Sequence, residues 1–216
     1  MPSRSAPVPS APPRLRRTQA ERRASTRERL FEATIEALSE LGYGRTTTTE
    51  VCRRAGVSQG ALFNHFATKA ELVSAAAEHL FAALIADYRR GFAAAAADGD
   101  RVAAATHLLW STFREPRLQA AFELTLAART DVELAARLAP VADRHGANLR
   151  AEARTLFPEA AAKNPEFEAV IDLAVSAFQG AALGGAAVRD EARDERLVAL
   201  LTRLARVAFS PDPGGA

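Results

Sequence analysis

The stretch Thr46-Thr47-Thr48-Thr49-Glu50-Val51-Cys52-Arg53-Arg54-Ala55-Gly56-Val57-Ser58-Gln59-Gly60-Ala61-Leu62-Phe63-Asn64-His65-Phe66 decides the fold. Thr47 and Glu50 have the spacing of a capping box, in which a hydroxyl and a carboxylate three residues apart each satisfy a free backbone N–H, so a helix is predicted over about 48–54. Ala55-Gly56-Val57 then makes a three-residue break, Gly56 being free to take positive φ, and Ser58 caps a further short helix from 59 to about 65. Two short helices joined by a glycine-bearing turn describe a helix-turn-helix, whose second helix fits the major groove of DNA. An ordinary αα corner has the same outline.

Upstream, Phe31, Ile35 and Leu38 form a helical stripe that starts near Thr26 and stops at Gly42. Residues 1–24 carry five prolines and the cluster Arg14, Arg16, Arg17, Arg22 and Arg23 without apolar periodicity, and are predicted to be a disordered extension. Downstream, Thr68 and Glu71 repeat the capping-box spacing before the stripe Leu72, Ala76, Leu80 and Leu84, a long fourth helix ending near Gly91. Helical spacing returns at about 101–114, 117–129, 131–156, 165–187 and 194–209, with Pro140 placed to kink the third of these, and residues 211–216 read as a frayed tail.

The whole composition agrees with an all-α chain: of 216 residues, 50 are alanine and only 15 are valine or isoleucine. One cysteine, Cys52, excludes a disulfide framework and a cysteine-rich zinc site, and it falls in an apolar slot of the core. No apolar run approaches the roughly 18 residues that span a bilayer, and the N-terminus lacks the apolar stretch of a signal peptide, so the chain is expected in the cytoplasm, away from membranes. Residues 1–72 hold twelve basic against seven acidic side chains and the remainder sixteen against nineteen, which directs a polyanion to the first third.

Gly42-Tyr43, Thr46-Thr47, Val51, Ala55-Gly56-Val57-Ser58, Gly60, Leu62-Phe63, His65-Phe66 and Lys69 together resemble the DNA-binding domain of the TetR family of bacterial transcription regulators. The resemblance covers roughly residues 26–72. It implies a homodimeric repressor on a palindromic operator, with an N-terminal DNA-binding domain over 25–72, its helix-turn-helix at 47–66, and a helical domain over 73–210 that binds a small-molecule effector.

For the DNA surface, Thr47 and Thr48 can meet a phosphate at the positive end of a helix dipole, and Thr49 lies where members of the family reach a base edge. Ser58, Gln59, Gly60, Ala61 and Asn64 are the small or polar residues that face the groove; Gln and Asn bridge adenine N6 and N7, and an alanine methyl meets that of thymine. His65 and Lys69 can contact the backbone. Phe63 stands where the family often has tyrosine, removing one phosphate hydrogen bond. Val51, Val57, Leu62 and Phe66 are predicted core. The arginines at 14–23 are placed to enter the adjacent minor groove.

In the second domain, Phe81, Tyr88, His107, Trp110, Phe113 and Phe122 supply an aromatic stretch, and Ser111, Glu123, Arg129 and Gln179, with Tyr88 and His107, could supply the polar groups of an effector pocket. The stripes Phe167, Ile171, Ala174, Phe178 and Leu197, Leu201, Leu204 are predicted to pair with a second copy in a four-helix interface. Two-fold pairing would set the recognition helices roughly 34–36 Å apart. No nucleophile elbow, phosphate loop or metal motif is found, so no enzyme, cofactor or metal is expected. The other reading the sequence permits is a helical ligand- or partner-binding protein that keeps the helix-turn-helix without binding DNA.

Overall fold

The structure, a computed structural model, describes residues 18–95, 99–185 and 190–210, which are helical with no strand among them. In chain order the helices are α1 (Gln19–Arg45), α2 (Thr48–Ala55), α3 (Gln59–Phe63), α4 (Lys69–Ala95), α5 (Arg101–Phe113), α6 (Leu118–Ala127), α7 (Val132–Leu156), α8 (Pro158–Lys163), α9 (Phe167–Gly185) and α10 (Glu191–Phe209). The fold is all-α.

Helix α1 starts ahead of the expected Thr26, because Thr18 and Glu21 form a reciprocal capping box: the Glu21 N–H donates to Thr18 Oγ1 at 3.2 Å and the Thr18 N–H to Glu21 Oε2 at 2.7 Å. Residues 19–24, expected to be disordered, are therefore helical, while Arg14, Arg16, Arg17 and the tail 211–216 lie outside the described residues. The backbone of α1 leaves the helical region at Gly42, near φ 73° and ψ 169°. Helix α4 continues past Gly91 to Ala95, since that glycine serves a close approach: a Cβ there would sit 3.0 Å from Leu108 Cδ1 of α5. Helix α7 runs through Pro140 as one segment. Helix α8 was not foreseen; Pro158 occupies its first turn, where the missing N–H would have no helical partner in any case.

Two apolar clusters organise the packing. The first joins Leu30, Ala33 and Ala37 of α1 with Val51, Cys52 and Ala55 of α2, Leu62 of α3, Leu72 of α4 and Phe66 from the turn between α3 and α4, and Val57 packs half-buried on its edge. Each leucine fully withdrawn from water here contributes roughly 1.5–3 kcal/mol. The second begins on the far side of the same two long helices, at Ile35 and Leu38 of α1 and Val73, Leu80 and Leu84 of α4, and extends through α5, α6, α7, α9 and α10. Helices α1 and α4 thus belong to both clusters and join the helix-turn-helix head to the larger bundle.

Among the described residues, Phe167–Gly185 is one helix long and apolar enough to cross a membrane, with a mean hydropathy of 1.3 over its best window. This corrects the reading that no segment comes near that length. Its two carboxylates are bound to α7, Asp172 to Arg150 at 3.0 Å and Glu168 to Arg154, so the helix is docked against the bundle.

Candidate functional site

The head is built by local hydrogen bonds that the residue types dictate. Thr47 Oγ1 accepts from the Glu50 N–H at 3.2 Å and caps α2. The Glu50 carboxylate does not reach back to complete the box; it takes both Arg53 and Arg54, which hold its pKa down to about 2. Gly56 closes α2 in the left-handed region at φ 60°, a conformation that costs any residue with a Cβ. Arg29 of α1 donates to the carbonyls of Ala55 and Gly56, at 2.8 Å to the latter, and pins the turn. Ser58 Oγ accepts from the Ala61 N–H at 3.1 Å and starts α3.

With Leu62 and Phe66 buried beneath it, this segment exposes Thr47, Thr49, Ser58, Gln59, Gly60, Phe63 and Asn64, while Thr48, Ala61 and His65 are half-buried. The Gln59 amide donates to Thr49 Oγ1 at 2.6 Å, so the candidate reading residues of α2 and α3 form one surface. Phe63 is 50% exposed, a large apolar ring standing in solvent. Burial, and then the nearby guanidinium groups of Arg23 and Arg27, lower the pKa of His65. That pair of arginines from the early turns of α1 is a basic edge beside α3; Arg27, which also lies over the Phe31 and Phe66 rings, carries no local sequence signal.

Lys69 also makes contacts within the chain. Its ammonium donates to the Tyr43 carbonyl at 2.7 Å and lies 3.8 Å from the Tyr43 ring centroid, and burial lowers its pKa against the pull of Asp131. The same tyrosine donates its hydroxyl to Asp131 Oδ2 at 2.8 Å, and its N–H reaches Glu123 Oε2 at 3.4 Å. Thr68 bonds Glu133 Oε1 at 2.9 Å. This polar junction ties the ends of α1 and α4 to α6 and the start of α7.

The bundle encloses a cavity of about 420 Å³ between α4, α5, α6, α7, α9 and α10. Of the residues expected to line it, Phe81, Tyr88, Phe113, Phe122 and Gln179 do so. The others lie elsewhere. Trp110 packs on Phe178 within the core, and Glu123 belongs to the Tyr43 junction. His107, Ser111 and Arg129 are exposed on the outer surface. The lining face of α5 is that of Val102, Thr106, Leu109 and Phe113, which turns His107 and Ser111 outward. His145 and Glu152 of α7 line the cavity and were missed, because α7 reads as a charged helix with few apolar anchors.

The sequence profile described as "Bacterial regulatory proteins, tetR family" matches residues 30–76. Over 188 residues the chain is 31% identical to the uncharacterized HTH-type transcriptional regulator Rv2912c of Mycobacterium tuberculosis, spanning 87% of this chain and 96% of that protein. The chain belongs to the tetR family. It is a DNA-binding transcriptional regulator. Solved structures with the same fold include a transcriptional regulator, RHA1_ro04179, from Rhodococcus sp. Rha1, with TM-score 0.63, 22% identity and coverage of 83% of this chain and 95% of that one. Another is the multidrug binding protein EbrR complexed with imidazole, with TM-score 0.57, 23% identity and coverage of 82% and 93%.

In this tetR-family chain the two C-terminal helices each have two apolar faces, and the structure reassigns them. Phe167, Phe178 and Leu201 are buried inside the chain itself, Ile171 and Ala174 line the cavity, and Leu197 packs on the core. The more apolar stripe of each helix thus closes its own bundle. Leu204 remains outside, with Leu173 and Leu183 of α9 and Leu200 and Val207 of α10.

Proposed function

We propose that this regulator is an effector-responsive repressor that binds a palindromic operator in the cytoplasm as a homodimer. One observation carries the DNA half of this reading: the α2–α3 segment holds its apolar side in the core and turns Thr49, Gln59, Gly60 and Asn64 to solvent as one polar face. Gln59 and Asn64 are the base-reading residues, Thr49 and Ala61 their neighbours at the base edges, and Thr47, Thr48, Ser58 and His65 contact phosphates. Phe63 offers an apolar contact to a sugar or a thymine methyl. Lys69, one of whose three N–H groups already serves Tyr43, keeps two donors for the backbone.

Dimerisation uses the outward stripes of α9 and α10. Leu173 at 58% and Leu204 at 49% exposure are apolar surface that a second copy would cover, and a two-fold axis there pairs two heads for successive major grooves. The division of labour follows the two clusters: the head over 25–72 binds DNA, and 73–210 binds effector and partner. Helix α4 lines the cavity at Phe81 and Tyr88 and reaches the head at Lys69, and α6 lines it at Phe122 while holding Tyr43 through Glu123. An effector that prefers one setting of these helices shifts the spacing of the heads and releases DNA.

Selecting bound duplexes from a random pool with the full chain tests the proposal. The expected result is an inverted repeat whose half-site centres lie about one helical turn, or a multiple of one, apart. Recovery of no shared sequence, or of single half-sites only, contradicts it.

A further inference from the structure

Among the described residues, every polar side chain on the cavity wall but two already makes a hydrogen bond. The Tyr88 hydroxyl donates to the Ala105 carbonyl at 3.1 Å, and the hydroxyls of Thr106 and Thr125 donate back to the carbonyls of Val102 and Ala121 in their own helices. Thr112 does the same toward Leu108. Glu152, buried on the wall, is gripped through both carboxylate oxygens by the Arg89 guanidinium, at 2.9 Å from its Nε. The uncommitted groups are the Gln179 amide, which makes no hydrogen bond among the described residues, and the His145 imidazole. His145 lies flat on Phe81, ring centroids 4.0 Å apart and planes 9° apart, and its Nδ1 is buried without a partner.

The charges decide the ligand class. Among the described residues no lysine or arginine lines the cavity, so an organic anion would meet no cation there to neutralise it. One carboxylate among the described residues lines it, and an organic cation would have to displace the two-pronged arginine that already holds it. Burial keeps the imidazole neutral, its pKa pushed down to about 4, so it supplies one donor and one acceptor and no charge.

We infer that the cavity takes an uncharged, largely apolar molecule with a flat ring and one hydrogen-bonding group, which pairs with the His145 imidazole. This rests on the reading of the cavity as the effector site. The imidazole lines the cavity with no hydrogen bond to any described residue, so the ligand's single polar group supplies the partner it lacks. The stacked Phe81 and His145 rings present an aromatic wall for the ligand's ring. Gln179 offers a second hydrogen-bonding position from α9.

The test is calorimetric titration of the full chain at neutral pH with four probes sharing one ring system: 2-naphthol, 2-naphthoate, 2-naphthylmethylammonium and naphthalene. Naphthol is expected to bind, with each ion weaker by about tenfold or more. The variant His145→Phe keeps a flat ring and removes the polar atoms; naphthol should weaken about tenfold while naphthalene holds its affinity, which also shows that the variant is folded. Either ion matching naphthol, naphthol undiminished in the variant, or no binding of naphthol to the wild type overturns the inference. DNA affinity measured on the same samples separates this from the regulator reading. An ion that binds and releases DNA leaves the effector-responsive reading standing and removes only the uncharged class, whereas loss of all DNA binding removes the regulator reading itself.

Discussion

Lowering the pH from 7 to 5 perturbs one half-buried group of this protein more than any other that titrates in that range. Burial alone moves His145 from its ordinary 6.5 to about 4 in the folded chain. Between those values the unfolded chain binds the proton and the folded chain does not, so stability is complete above about pH 6.5 and declines as the pH falls toward 4. Two sites with those constants differ by about 2 kcal/mol at pH 5 and about 3 kcal/mol at pH 4. For a chain of this size about 2 kcal/mol lowers the melting temperature by roughly 4–8 °C. The measurement compares urea unfolding of the wild type and His145→Phe at pH 7 and pH 5 by circular dichroism. Glu50, Asp100 and Asp131, whose pKa values are all lowered, titrate in both proteins and cancel in the difference. The wild type should lose about 2 kcal/mol more than the variant between the two pH values. Equal losses would refute the assignment of a neutral, half-buried imidazole.

Three further outcomes are expected. Gly56→Ala should cost about 1–2 kcal/mol in urea unfolding, since the left-handed backbone is strained by a Cβ that would also lie 3.0 Å from Arg29 Nη2; an unchanged midpoint contradicts the turn geometry. Leu173→Glu combined with Leu204→Glu should convert a dimer to a folded monomer in sedimentation equilibrium, because both side chains are exposed and a charge there costs the single chain little; a wild type that sediments as monomer at micromolar concentration speaks against the interface. Tyr43→Phe removes the 2.8 Å bond to Asp131, worth about 0.5–1.5 kcal/mol, and should uncouple ligand binding from DNA release in a mobility-shift titration, where unchanged coupling rules the junction out as the route.

The helix-turn-helix was legible because its determinants are local: Thr47, Gly56 and Ser58 act on backbone within a few residues, and the structure gives each the capping or turn role its chemistry implies. The start of α1 was hidden because Thr18 and Glu21 sit inside a proline- and arginine-rich run whose composition outweighed a correct cap. The cavity and the outer face of α9 and α10 were only partly legible, for one reason. Periodicity says that a helix has an apolar side, yet its rotation about its own axis is set by what packs on it, and that information lies in other helices. Hence Phe113 faces the cavity while Trp110, on the same helix, faces the core, and α9 turns Phe178 inward and Leu173 outward. The contacts of Lys69 with Tyr43 and Asp131 were not legible because those partners are distant in sequence.

The most direct test of the account compares the affinity of the wild type and of the double variant Gln59→Ala, Asn64→Ala for a selected operator and for unrelated duplex, each at two salt concentrations. Both residues are exposed and uncharged, so the variant should fold, and its slope of log affinity against log salt should match the wild type, since phosphate contacts set that slope. The preference for operator over unrelated DNA should collapse by about 2–6 kcal/mol, or at least about thirtyfold. A preference left intact by the double substitution would mean that this face does not read the DNA.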